Sequence, residues 1–229
     1  MNCFSSKKKI LSLLVFLNTP LLFAQQSNVG NWFNYFGNQG INEKWNWHNE
    51  IQYRNYNFAG DLEQLLLRTG IGYNLTEKNN NVLLGYGFIH SQPYLSDTDQ
   101  KSSFDEHRIF QQFINRHQWG RVYFQHRIRA EQRFLPEDIQ FRGRYFLALN
   151  VPLNHENIQS NTFYLSAYNE IFLNAKSSYF DRNRIYGALG YGINKHIRVE
   201  VGYMRQILAD IHRDQFQLVL FNNLPFYAD

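Results

Sequence analysis

The chain has 229 residues, a formal net charge of +4 at pH 7, 17% aromatic residues and one cysteine, Cys3. Cys3 and the three lysines at 7–9 lie in a leader that we expect to be removed, and losing those three charges lowers the formal charge from +4 to +1. Net charge therefore gives no support to a nucleic-acid partner, and we expect none. Loss of Cys3 excludes disulfide bonds, thiol catalysis and cysteine-based metal sites from the mature chain.

The leader has the pattern of a secretory signal peptide. The lysines precede an apolar run over Ile10–Phe23, and Ala24 stands before the polar Gln25. A basic region, an apolar core and a small residue at the exit are typical of a cleaved signal, and the run is shorter than the about 20 residues of a membrane-spanning helix. We therefore predict cleavage after Ala24, with residues 1–24 as signal peptide and 25–229 as one mature domain. The "FAQQ" exit is similar to Bacteroidota usage.

Segments in which polar and apolar residues alternate follow one another along the mature chain. In the first clear segment, Trp45, Trp47 and Ile51 alternate with polar residues. A period of two predicts β-strands, and no persuasive amphipathic helix interrupts the series. The predicted strands lie near 44–57, 64–73, 82–88, 104–117, 121–134, 139–151, 162–174, 180–193, 197–208 and 213–222.

Strand length and polarity favour a transmembrane barrel. Most of these segments exceed the about 5 to 6 residues of a globular strand and match the about 9 to 11 residues of a tilted transmembrane strand. Together with export, this predicts an all-β fold, an antiparallel β-barrel in the cell outer membrane, where a closed ring leaves no strand edge unpaired. Apolar residues such as Leu84, Ile128 and Val201 are expected to face lipid.

The predicted strand number is ten, with twelve as the alternative. The segment 29–37, "VGNWFNYFG", is an extended N-terminal piece outside that count: either an accessory or the partner of a further strand, because bacterial single-chain barrels have even strand numbers. The barrel strands themselves are expected within 44–222. If the long break at Ser91–Ser103 is extracellular, the "TEKNNN" and "INKH" turns and the C-terminus are periplasmic.

Seven motifs carry a family resemblance. In chain order they are "WNWHNEIQYRNY", "EQLLLRTGIGYNL", "EHRIFQQF", "HRIRAEQRF", "YNEIFLN", "FDRNRIYGALGYGI" and "RVEVGYMRQ". Their ordered set resembles the DUF2490 family of bacterial proteins. The resemblance implies an outer-membrane β-barrel of unassigned function and supplies no catalytic residues. The ending "FNNLPFYAD" departs from the usual terminal aromatic residue of such barrels, because Phe226 and Tyr227 precede two further residues.

Charged residues of the predicted strands share one face. In "HRIRAEQRF" the charged Arg127, Arg129, Glu131 and Arg133 occupy alternate positions. A lipid-facing arginine costs roughly 2 to 4 kcal/mol at mid-membrane, so this face is expected to point into the barrel. By the same period, Arg116 also points inward. The expected lumen network consists of Glu50, Arg54, Arg68, Glu106, Arg108, Arg127, Arg129, Glu131, Arg133, Arg142, Arg144, Glu170, Arg182, Arg184, Arg198 and Glu200.

Two interpretations of this lumen network remain open. It forms either a hydrogen-bonded filling that fixes the strand register or a basic lining that selects anionic small molecules. The way in which small barrels are usually filled favours the first, whereas the excess of arginine over glutamate favours the second. The predicted function is therefore a structural barrel or a narrow transport or binding conduit. Its expected partners are outer-membrane lipid, the barrel-insertion machinery and anionic small molecules, with no cofactor and no metal.

Two alternatives belong to other classes. A lipid-modifying enzyme needs a nucleophile and a base near the membrane surface, and His90 with Ser91 is the one such pair at an expected rim. Neighbours in a strand point apart, so we expect no dyad, no catalytic residue and no enzyme. A soluble lipocalin-like carrier would also explain export and alternation.

Overall fold

The structure, a computed structural model, describes residues 29–77, 79–96, 98–176 and 178–227. The predicted signal peptide lies outside the described residues. Eleven strands are found within them: β1 (Val29–Gly40), β2 (Trp45–Asn55), β3 (Leu62–Asn74), β4 (Asn80–Ser91), β5 (Phe104–Trp119), β6 (Val122–Phe134), β7 (Ile139–Pro152), β8 (Thr162–Asn174), β9 (Phe180–Gly192), β10 (Ile197–Ile207) and β11 (His212–Asn222). No helix in this described part is long and apolar enough to cross a membrane.

The strands form one closed barrel. Each strand pairs antiparallel with the next in the chain, and β1 closes the ring by pairing in parallel with β11. The predicted all-β barrel is confirmed, with eleven strands in the described residues instead of ten. The additional strand is β1. It contains the segment 29–37, which the expectation of an even strand number excludes from the predicted ten. An odd number of alternating strands brings two neighbours of the same direction together, so the closing pair must be parallel.

The closing pair is fixed by side chains as well as by its backbone ladder. On the interior side, Asn34 Nδ2 donates to Gln217 Oε1 at 3.0 Å. Further along the same two strands, the rings of Phe36 and Phe221 stack with centroids 5.5 Å apart. The register of β1 against β11 is therefore specified at two levels of the barrel.

The alternating strand directions give the barrel two distinct ends. The long-loop end carries the connections 56–61, 92–103, 135–138, 175–179 and 208–211, and the C-terminal end carries 41–44, 75–79, 120–121, 153–161, 193–196 and the segment after Asn222. Residues 223–227 of that last segment fold back on the outer wall, where the backbone N–H of Phe226 donates to Gly40 O at 2.8 Å and its ring stacks on Trp47. Phe226 and Tyr227 of the "FNNLPFYAD" ending thus lie against β1 and β2.

The barrel has a polar inside and an apolar outside. Among the described residues, 26 buried side chains are polar or charged and 12 are hydrophobic. Large apolar side chains point outward instead, and Leu84, Ile128 and Val201 are 60%, 58% and 62% exposed. Strand alternation separates the two sets, because successive side chains point to opposite faces.

Two interior glycines make room for tyrosine rings. A Cβ at Gly190 on β9 would overlap the ring of Tyr164 on β8, and one at Gly202 on β10 would overlap Tyr186 on β9. Both rings therefore lie flat against the wall, and both hydroxyls donate to the carboxylate of Glu200, at 3.0 and 3.2 Å. Gly190 of "GALGYG" and Gly202 of "VGYM" therefore serve close packing, as their position on strands indicates.

Replacing Gly190 by alanine should destabilise the barrel, because the new methyl group would have to displace the buried Tyr164 ring. Overpacking of this kind costs about 1–3 kcal/mol. Gly187→Ala is the matched control, since Gly187 lies on the same strand with no atom within 4 Å of its added Cβ. Urea unfolding of the two variants in detergent should separate them, and equal midpoints would contradict the packing role of Gly190.

Candidate functional site in the barrel interior

All sixteen residues of the predicted lumen network lie on the interior face of their strands. Four of them, at the rims of the network, are partly exposed: Arg127, Arg133, Arg182 and Arg198. The other twelve are buried: Glu50, Arg54, Arg68, Glu106, Arg108, Arg129, Glu131, Arg142, Arg144, Glu170, Arg184 and Glu200. A period of two in the sequence thus places the whole set in one interior space.

Glu131 on β6 is the centre of the network. Its two carboxylate oxygens accept hydrogen bonds from Arg142 Nη2 and Arg144 Nη1, both at 2.6 Å, and Arg129 Nη1 lies 3.6 Å from Oε1. Arg142 and Arg144 are alternate residues of β7, so the pleat presents both guanidinium groups to the same carboxylate. Charge-assisted pairs of this kind are the stronger hydrogen bonds of a protein interior.

The chain of ion pairs continues on both sides of Glu131. Arg144 Nη2 also donates to Glu170 on β8 at 2.7 Å, and Arg127 on β6 reaches the same carboxylate at 2.6 Å. In the other direction Arg142 Nη1 donates to Asp181 on β9 at 2.9 Å. Three acidic groups and their arginines therefore connect four neighbouring strands.

Further pairs extend the network around the wall. Glu106 on β5 is held by Arg108 of its own strand and by Arg133 of β6, both through Nε at 2.6 Å. Glu50 on β2 pairs with Arg68 on β3 and also interacts electrostatically with Arg129 on β6. Because Glu50 on β2 and Arg129 on β6 belong to strands that are not neighbours in the ring, the charges of the network also act on one another across the interior.

Aromatic rings add to the stabilisation of the buried arginines. The buried Phe172 ring on β8 is approached by four arginines that also pair with carboxylates, Arg142, Arg144, Arg182 and Arg184, with the Cζ of Arg144 4.4 Å from its centroid. Trp32 on β1 lies beneath Arg54 Cζ at 3.8 Å, and Arg54 has no acidic partner among the described residues. Desolvated cation–π contacts contribute about 2 kcal/mol or more each.

Some network members could not be found by alternation. Asp181 sits one residue from Arg182 and should point outward, but a register shift at Phe172/Leu173 in the β8–β9 pair makes this edge irregular, and Asp181 bonds Arg142. The glutamines were detectable: Gln112, which accepts from Arg129 at 2.9 Å, and Gln206, which accepts from Arg184 at 2.9 Å, both keep the interior period. The sequence prediction considered charged residues alone and therefore omitted them.

At the long-loop end of the barrel, Arg213 and Lys101 have acidic partners. Arg213 pairs with Glu63 at 2.5 Å, and Lys101 pairs with Asp61 beside the ring of Tyr94. The Tyr94 hydroxyl donates to Asp61 at 2.9 Å, and this bond to a carboxylate raises the pKa of Tyr94 above its usual value. Arg213 and Glu63 join β11 to β3, whereas Lys101 and Tyr94 of the 92–103 connection both contact Asp61 of the 56–61 connection, so paired charges hold this end in place.

Three interior arginines have no ion pair with a described acidic residue: Arg54, Arg116 and Arg198. Arg54 is compensated by Gln52 and Gln64, whose oxygens accept its hydrogen bonds, and by Trp32. Arg116 donates through Nε to Gln125 at 3.0 Å, and Arg198 Nε is buried without a hydrogen-bond partner among the described residues. The uncompensated charge is thus concentrated toward the C-terminal end.

His90 and Ser91 point to opposite sides of β4. The His90 ring contacts Asp105 at 2.7 Å and Gln92 at 3.2 Å on the outer side, whereas Ser91 Oγ accepts from Gln64 on the inner side. The two side chains therefore form no dyad. Among the described residues, no group of three or more His, Cys, Asp or Glu side chains is placed to hold a metal ion.

These features define a closed, mostly antiparallel β-barrel with an ion-paired interior and an apolar outer wall. The chain belongs to the family described as "Protein of unknown function (DUF2490)", whose family model matches residues 29–217, from the start of β1 into β11. The resemblance seen in the sequence motifs is thereby confirmed. A search of curated proteins and a search of solved structures each found no match.

Neutralising Glu131 should destabilise the barrel strongly. Glu131→Gln would leave Arg142, Arg144 and Arg129 buried around an uncharged amide, and breaking a buried pair by removing one partner costs about 3–5 kcal/mol. Glu137→Gln, in the exposed connection 135–138, is the control and should unfold like the parent chain. Urea midpoints in detergent test this, and an unchanged midpoint for Glu131→Gln would show that the network does not hold the wall.

Proposed function

We propose that the chain is an exported outer-membrane β-barrel protein whose arginine-rich interior holds the wall in shape and closes the lumen. In this role it is a non-enzymatic structural barrel, inserted by the barrel-insertion machinery and surrounded by outer-membrane lipid. The observation that carries the proposal is the reversed polarity of the barrel, with charged residues buried inside and large apolar residues exposed outside. The "FAQQ" exit of the leader supports a Bacteroidota source.

The reversed polarity supports a membrane setting. Water would leave Leu84, Ile128 and Val201 exposed on the outer wall, at a cost that grows with the apolar area. Lipid removes that cost, and the closed ring meets the requirement that no backbone edge remain unpaired in hydrocarbon. Polar outer residues satisfy one another: Gln111 and Gln132, for example, donate to each other's side-chain oxygens at 3.1 Å.

Closure is supported by the way the lumen network crosses the interior. At mid-height the buried Glu131 accepts a hydrogen bond from Arg144 and lies 3.6 Å from the buried Arg129, so these side chains fill the interior at that level. A filled barrel is therefore favoured over an open conduit in the conformation described.

The two other classes fit this geometry less well. A lipocalin-like carrier encloses its ligand inside the barrel, whereas this interior is occupied by ion pairs. A lipid-modifying enzyme at His90 would need a hydroxyl nucleophile on the outer wall, and the His90 ring is engaged by Asp105 and Gln92. Persistent lipid-modifying activity in a His90→Ala variant would remove that site, and activity lost without unfolding would overturn the non-enzymatic assignment.

Cell fractionation of the full chain tests the location. We expect the protein in the detergent-extracted outer-membrane fraction, with a faster gel mobility before boiling than after it, because a closed barrel resists unfolding by the detergent of the gel. Release into a detergent-free periplasmic extract, with one mobility in both conditions, would contradict the proposal.

Conductance in planar bilayers tests closure. The parent protein should show no steady conductance, whereas Glu50→Ala with Arg68→Ala should open a path, because that change removes one interior ion pair and leaves no lone charge from it. The matched control is Arg205→Ala with Asp214→Ala, which removes a pair at 2.8 Å on the outer wall and should stay closed. Steady ohmic conductance of the parent protein would overturn closure.

A further inference from the structure

The interior toward the C-terminal end is more open than its centre. Interior-facing side chains of β5, β6, β7, β10 and β11 there are partly exposed, in contrast to the buried Arg129 and Glu131 at mid-height. We call this part of the interior the vestibule and define it by Arg116, Gln125, Arg127, Asn150, Arg198 and Phe221. Their partial exposure makes the vestibule accessible to water.

The vestibule holds positive charge without acidic partners. Arg116 on β5 and Arg198 on β10 come from opposite walls, and Arg198 is the charged group that acts on Arg116 across the space. Neither forms an ion pair with a described residue. The neighbouring carboxylate, Glu200, has its oxygens occupied by the hydroxyls of Tyr164 and Tyr186 at 3.0 and 3.2 Å.

The two guanidinium groups are oriented with unused donors. The face of Arg198 lies 4.2 Å from the centroid of the Phe221 ring, and its Nε is buried without a hydrogen-bond partner among the described residues. Arg116 is anchored at one side only, through Nε to Gln125. Stacking holds a guanidinium plane while its edge stays available, which is the geometry that binds an oxyanion through two parallel hydrogen bonds.

A further donor of the vestibule also lacks a partner. Arg127 Nε is buried without a hydrogen bond within the described part of the chain. Two facing cations at low dielectric repel one another, and an anion between them would remove that repulsion and satisfy the free donors together. The long-loop mouth differs in this respect, since its arginines and lysine are already paired.

We propose that Arg116 and Arg198 form a binding site for a phosphate-type oxyanion in the vestibule, entered from the C-terminal end. This inference extends the proposed closed barrel by naming a ligand class and a site. It rests on the proposed function only for the periplasmic orientation of that end. The phosphate group can belong to the free ion or to a lipid headgroup, and both present the same oxygens to the two guanidinium groups.

Calorimetric titration of detergent-purified full-length protein with inorganic phosphate tests the site. We expect saturable binding of the parent protein and at least about tenfold weaker binding when Arg116→Gln and Arg198→Gln are combined. Phosphate should also raise the thermal unfolding midpoint of the parent protein but not of the double variant. Absence of saturable binding in the millimolar range, or equal affinity of the two proteins, would overturn the proposal.

Matched variants keep the test independent of folding. The double variant removes two mutually repelling charges outside the ion pairs, so it should unfold at no lower urea concentration than the parent protein. If the double variant nevertheless fails to fold, the Arg198→Lys variant tests the site instead. Lysine keeps the positive charge but lacks the planar guanidinium group, so this variant should bind phosphate more weakly than the parent protein. Arg121→Gln removes an arginine at the same end that donates to the carbonyls of Pro152, Leu153 and His155, and it should leave phosphate affinity unchanged.

A second titrant distinguishes the two sources of phosphate. A short-chain phosphatidic acid, kept below its micelle concentration, should displace inorganic phosphate if a lipid headgroup is the ligand and should fail to do so if the free ion is. Both results support the site. Because binding is measured in detergent, its absence would leave the closed membrane barrel intact, whereas loss of heat-dependent mobility with retained phosphate binding would remove the barrel proposal alone.

Discussion

Pairing of β1 with β11 creates the inside on which everything else depends. Without that parallel ladder from Val29 to Gly37 against Asp214 to Asn222, the sheet would have two free edges, and the arginine rows would face water on an open surface. With this ladder, the same arginine rows face an enclosed interior, in which a buried charge needs a partner. Among the described strands the closing pair is also the one parallel ladder, and its specific contacts, Asn34 to Gln217 and Phe36 to Phe221, supply register where hydrogen-bond geometry is less favourable.

Most of the fold could be predicted from the sequence, because a barrel with an apolar outside and a charged inside repeats a period of two in every strand. The prediction of Arg127, Arg129, Glu131 and Arg133 as an interior row depends on that period alone. The strand count is harder to predict. The sequence shows that 29–37 is extended, but the expectation of an even number of strands excludes this segment from the barrel. Nothing local to the segment 29–37 states that its second neighbour is β11, because pairing across nearly the whole chain is a property of closure.

Network membership was predictable, but its connections were not. Alternation places Arg142, Arg144 and Glu131 on one face, yet it does not say that one carboxylate serves both arginines, which depends on the β6–β7 register of Glu131 opposite Arg142. Asp181 is a case in which membership itself was not predicted, because the irregular pairing of β8 with β9 breaks the period of two on which the prediction depends. The same limit applies to Tyr164 and Tyr186: their reach to Glu200 depends on glycines in the neighbouring strands, which a single strand pattern does not reveal.

The excess of arginine over acid has a consequence for where ligands can act. In the centre, Glu131 and Glu170 each pair with several guanidinium groups, and the Phe172 ring packs against the same arginines, so added anions would have to displace existing bonds. Toward the C-terminal end, the interior arginines Arg116 on β5 and Arg198 on β10 have no ion pair with a described acidic residue. A filled barrel and an anion-selective lining can therefore coexist in one arginine-rich interior. The acidic residues neutralise the arginines of its centre, whereas Arg116 and Arg198, which have no ion pair with a described residue, lie in the part that water can reach.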